Sequence, residues 1–208
     1  APVLPQVAYV QTFAASAPDR ASAQRFTLRE GQEYLGADVT VTLGRSGRVS
    51  GLAVGPSGLP LSNVSVAIVN TRDRTTWASP GIFRPGADGR FALPSLGPGE
   101  YAFVGRGAEG PMSSPDGMTL FTSTGFTMLG DDVEGLRVEF VPGGTVQGVV
   151  EVAGGGAVPP AARVAVSLVD AIAGTPGATM TAAVPPDGRF VIEGVPPGRL
   201  RVGVTGLG

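Results

Sequence analysis

Four residues, Asp88-Gly89-Arg90-Phe91, recur unchanged as Asp187-Gly188-Arg189-Phe190, 99 residues further along the chain. Eight residues after each Phe a Pro-Gly pair is completed, Pro98-Gly99 and Pro197-Gly198, and a strand-like run follows both times, at 100–104 and 199–204. Upstream, Gly47-Arg48-Val49-Ser50-Gly51 matches Gly144-Thr145-Val146-Gln147-Gly148 at a shift of 97, and Phe26-Thr27-Leu28 matches Phe126-Thr127-Met128 at a shift of 100. Landmarks in one order at nearly constant spacing predict a repeated structural unit, and a repeat governs every later reading of the chain.

Within each unit apolar residues alternate with polar ones. Val39, Val41 and Leu43, then Val64, Val66 and Ile68, then Phe91 and Leu93 form the first series. Leu136, Val138 and Phe140, then Val164, Val166 and Leu168, then Phe190 and Ile192 form the second. Period-2 runs of this kind are strands with one buried face. Asp-Gly before such a run is a hairpin signal, because Gly takes positive φ without strain. The 33 Gly and 19 Pro interrupt the chain too often for long helices. Short strands with turn signals about every ten residues predict an all-β fold of tandem antiparallel, Ig-like sandwiches. With no Cys to form disulfides, the inward Val, Leu and Phe set must supply the stability. Truncating Phe91 or Phe190 to Ala is therefore expected to cost about 3–5 kcal/mol.

Absent residue types narrow the chemistry. The chain has no His, no Cys and no Lys, so all 15 cations are Arg. Ser-His-Asp and Cys-His catalysis, thiolate or imidazole metal sites, Schiff bases and phosphate-loop lysines are excluded within it. Only carboxylate chemistry survives, and no cofactor is expected. A net charge of −2 gives no basic face for nucleic acid. No apolar run approaches the ~18 residues of a membrane span. The first residue is Ala1 rather than Met, the expected mark of a removed leader or of an excerpt.

These landmarks resemble the carboxypeptidase regulatory-like domain, a transthyretin-like β-sandwich. The family's opening strand is matched at 48–69 and 145–169, and its closing Asp-Gly-x-Phe, apolar stretch and Pro-Gly-x-Tyr at 88–101. The second closing stretch, 187–200, departs from it with Leu200 in place of Tyr. The resemblance implies a tail of an upstream unit at 1–43, a first sandwich with its connecting segment at 44–143 and a second sandwich at 144–208. Residues 26–43 and 126–140 look like segments that follow one domain and lead into the next. The resemblance carries no catalytic residues. It implies an exported, extracytoplasmic setting in a larger bacterial envelope protein.

Three places hold candidate sites. Asp131, Asp132 and Glu134 form the densest acidic cluster. It reads either as part of a Ca²⁺ site, which would need about six to eight oxygens from several segments, or as a solvated turn. Glu30 and Glu33, with Asp38 near them, raise a two-carboxylate glycosidase arrangement, against surface carboxylates on a connecting segment. The stretch 70–87 holds the only Trp, Trp77, with Phe83, Arg72, Arg74 and Arg84. Such residues serve recognition on loops of a rigid scaffold; alternatively Trp77 and Phe83 fold back as a lid on the sandwich. A second long connection, 107–124, carries Met112, Met118, Leu120 and Phe121 and is expected to cross one face.

The leading reading is a noncatalytic structural or assembly module whose partners are other subunits or adjacent domains. The alternatives are a module that binds carbohydrate or peptide through the Trp77 loop, and an accessory domain of a peptidase. The joints at 44–47 and 141–144 are short, so adjacent units should tilt within limits.

Overall fold

A computed structural model describes residues 7–10, 12–17, 21–72, 75–76, 81–108, 119–169, 171 and 178–207. Among them every regular element is a strand, apart from one 3-10 turn at Ala14–Ser16. In chain order the strands are β1 (Val7–Tyr9), β2 (Leu43–Arg45), β3 (Gly47–Val54), β4 (Val64–Asn70), β5 (Thr75–Thr76), β6 (Ile82–Phe83), β7 (Arg90–Leu96) and β8 (Gly99–Ala108). They continue as β9 (Thr119–Met128), β10 (Val133–Glu139), β11 (Val141–Pro142), β12 (Gly144–Val149), β13 (Arg163–Leu168), β14 (Thr179–Ala183), β15 (Arg189–Val195) and β16 (Leu200–Thr205).

The all-β class is as the alternation predicts. A three-stranded sheet, ordered β10-β3-β7, faces a larger one ordered β11-β9-β8-β4-β5, with β6 also on β4. Between them lies a core of Val49, Val64, Val66, Ile68, Phe91, Leu93, Tyr101, Phe103, Leu120, Met128, Val138 and Phe140, among others. Phe103 sits at its centre, its ring 5.2 Å from Phe91 and 4.7 Å from Phe126. Farther along, β12-β15 and β14-β13-β16 form two smaller sheets. They enclose a separate core of Ala162, Val164, Val166, Val184, Ile192 and Val195.

Several expectations change. Leu136, Val138 and Phe140 do not belong with the second series: β10 pairs with β3, and all three pack in or against the first core. That pairing is parallel, where the sandwich was expected to be antiparallel throughout, because the chain reaches β10 from the opposite sheet. Residues 119–128 are no connection but a full strand, in register with β8 over its whole length. Leu120 enters the core from it, while Phe121 is buried on the other face. Met112 and Met118 lie outside the described residues. The expected strand at 39–43 is made only from Leu43, in β2, which pairs with β1. Val39, Val41 and Leu43 are exposed there, as are Phe26 and Leu28, whose counterparts Phe126 and Met128 pack in or against the core.

The Asp-Gly corners do not close hairpins. Each carries the chain from one sheet to the other, from β6 to β7 and from β14 to β15. Their geometry agrees in detail. Gly89 and Gly188 have φ of +74° and +76°. The Gly89 N–H donates to Gly86 O and the Gly188 N–H to Pro185 O, both at 2.9 Å. The Arg90 and Arg189 N–H groups donate to Asp88 Oδ1 and Asp187 Oδ1, both at 3.1 Å. Ala53 N–H then donates to Gly89 O, and Val150 N–H to Gly188 O. A positive φ is nearly free for Gly alone, so these corners hold the sequence landmark in place. The Pro-Gly corners agree less well: Gly198 has φ of +141°, whereas Gly99 opens β8 without a positive φ.

Candidate functional site

Sequence-predicted site residues do not gather into one place. Trp77 and Arg74 lie outside the described residues. Arg72 occupies the turn after β4, its N–H donating to Asn70 Oδ1 at 3.0 Å. Arg84 is exposed just past β6. Phe83 turns inward from β6, its ring 5.5 Å from Phe91 and 6.0 Å from Phe103. Phe83 thus packs, partly buried, against the first core rather than standing free on a loop.

The acidic cluster divides between two partners. Arg45 Nη2 donates to Asp131 Oδ1 at 2.6 Å, and the Arg48 N–H donates to Asp132 Oδ1 at 2.7 Å. Glu134 is exposed on β10. Among the described residues no group of three carboxylates converges as a metal would require. The two aspartates tie the 130–132 turn to the end of β2 and the start of β3. A Cβ on Gly47 would collide with the Asp131 carbonyl, so a Gly is needed at that close approach. Glu30, Glu33 and Asp38 are exposed on the segment before β2.

What the fold does assemble is a joint. β11 extends the larger sheet, Val141 opposite Phe121 and Pro142 opposite Leu120, and the Gly143 N–H donates to Thr119 O at 2.9 Å. Pro fits here because it lies in a two-residue edge strand. Gly143 abuts the second unit: a Cβ on it would lie 2.7 Å from Gly194 Cα and 2.9 Å from the Phe121 ring. Gly194, at φ +63°, in turn sits against Thr119. Beside this joint runs a cleft of about 560 Å³ between the two units. Val104, Phe121 and Val141 line one wall; Leu168, Pro197 and Arg199 line the other. Phe121 is thus a functional candidate that sequence reading assigned to a loop. The Thr-rich alternation of 119–128 is the strand signal that could have placed it.

No protein-family model matches the chain, and no curated protein matches it in sequence. Solved structures overlap it partially. A streptococcal ancillary pilin is 17% identical over 73% of this chain and 50% of its own, with a TM-score of 0.32. A DUF3823 family protein from Bacteroides uniformis is 15% identical over 76% and 89%, with a TM-score of 0.33. The shaft pilin SpaA from Lactobacillus rhamnosus GG is 13% identical over 74% and 84%, with a TM-score of 0.29. The chain thus spans half the length of the streptococcal pilin. Overlaps at these TM-scores assign no role to it. Among the described residues no helix is long and apolar enough to cross a membrane.

Proposed function

We propose that this chain is a noncatalytic structural and assembly module: two copies of one sandwich plan, at 44–143 and 144–208, acting as a spacer in a larger extracytoplasmic protein. One observation carries the reading. The link between the units is a strand hydrogen-bonded into the first sheet, with Gly143 against Gly194, rather than a free linker. Such a link transmits orientation from one unit to the next, which a spacer requires and an independent binding domain does not. The carboxypeptidase regulatory-like family is the plan that the matching corners and glycines support. The extracytoplasmic setting is what the resemblance to that family implies.

Small-angle scattering in solution tests this reading. The parent chain should fit one rigid, elongated body. A variant with a flexible Gly-Ser insertion at 143 should lose that single shape. A parent curve that already requires freely moving units would overturn the spacer function.

A further inference from the structure

A sandwich has open sheet edges, and in the first unit most of them are blunted. β7 carries Pro94, which has no N–H to offer a neighbouring strand. β10 is bulged between Val133 and Leu136, with Gly135 at φ +71°, and it exposes Glu134, Arg137 and Glu139. The far side of β4 ends in the two-residue strands β5 and β6.

β9 differs. It runs ten residues in unbroken register with β8, and on its other side β11 covers only Leu120 and Phe121. The rest of that side is bare because the next strand, β10, leaves β9 for the opposite sheet. The Gly143 N–H reaches Thr119 O from there, so the main-chain groups of Ser123, Gly125 and Thr127, at the same parity, face the same way. They have no partner among the described residues. All three residues are exposed, and Thr122 to Met128 hold neither a charge nor a Pro.

Such an edge is complementary to itself. A two-fold axis sets like against like, which repels across a charged edge and does not across Ser, Thr and Gly. β11 limits the register, since an arriving strand must stop short of Val141, opposite Phe121. With the axis at Phe126, Gly125 faces Thr127 of the second copy, and that copy's strand ends at Thr124. Phe126 faces its own counterpart at a position without main-chain bonds, where opposed side chains come closest. Its ring stacks on Phe103 at 4.7 Å and Tyr101 at 5.7 Å yet is only partly buried. Leu129, 79% exposed just after the strand, follows the parity of Phe121 and comes opposite Ser123 of the second copy. Phe121 and Ser123 line the cleft beside the joint, with Val141 and Leu168. The bare edge is thus continuous with the contact between the units.

We propose that two copies of this chain pair β9 against β9, antiparallel about a two-fold axis at Phe126, joining their larger sheets into one. Gly125 and Thr127 exchange main-chain hydrogen bonds with Thr127 and Gly125 of the second copy, and each Leu129 closes against the other copy's cleft. The contact is isologous, so it stops at a dimer. It supplies a partner for the assembly role proposed above and rests on that reading, but not on the stiffness of the joint, which scattering from dilute chain tests separately.

Sedimentation equilibrium across the micromolar range reads the mass. The parent should pass from one chain to two and no further. Gly125→Pro removes only an N–H that points away from β8, so it costs no hydrogen bond within the chain. That variant should melt with the dilute parent and stay at one chain at every concentration. Amide exchange on the parent needs no substitution: raising the concentration through the change in mass should slow Gly125 and Thr127 about tenfold or more. A parent that stays at one chain, a dimer that survives Gly125→Pro, or a dimer in which both amides exchange as fast as in the single chain would each overturn it.

Discussion

Phe91 and Phe190 each follow an Asp-Gly corner of the same geometry, yet their surroundings differ. Phe91 is 8% exposed and packed on Phe83 and Phe103, whereas Phe190 only borders its core. Equal losses, as the sequence implies, are therefore not what the packing predicts. Phe91→Ala should cost about 3–5 kcal/mol and Phe190→Ala about 1–2 kcal/mol in dilute solution, since cavity cost scales with burial. Urea unfolding monitored separately for the two units checks this; equal losses would contradict it. Alternation identified Val64, Val66 and Ile68 correctly but gave no sign that Ala67 and Val69 are buried as well. A period-2 reading finds the face with large side chains and misses small residues covered from outside the local pattern.

Strands and their glycines are where sequence and structure part most clearly. The shift of 97 between Gly47 and Gly144 is plain in the sequence, but the reason for Gly47 lies in the turn into β10, a strand that alternation assigned to the wrong series. Pairing partners are set by topology, and a crossover between sheets leaves no periodic trace. Gly47→Ala should cost more than about 2 kcal/mol, because the Asp131 carbonyl occupies the space. Gly144→Ala should change dilute-chain stability by less than about 0.5 kcal/mol, because nothing stands within 4 Å. Calorimetry of the two variants checks the contrast; a severe loss for Gly144→Ala would show that its space is already filled. Asp-Gly was legible as a corner but not as a crossing between sheets, since the same turn chemistry serves both.

At the scale of the molecule, the sequence offered a repeat and short joints, and both bear on the proposed spacer role. It could not show that Phe121 reaches across to the joint, because the Thr-rich alternation of 119–128 marks a strand but not what packs on its outer face. The candidate site was least legible where the residues looked most chemical. Phe83 serves the core, and Asp131 and Asp132 serve the turn before β10. The joint is built instead from Gly143, Gly194, Val141 and Thr119, residues with no chemical signature. Because the chain has no Cys of its own, a spin label can be placed cleanly at Ala92→Cys on β7 and Val191→Cys on β15, both exposed. Electron–electron distance measurement on that pair, with the labelled chain diluted in unlabelled chain to exclude distances between copies, reads the relation of the two units directly. A single narrow distance distribution, broadened only when Gly143 is replaced by a flexible insertion, is the predicted result. A distribution already broad in the uninterrupted chain would contradict the account.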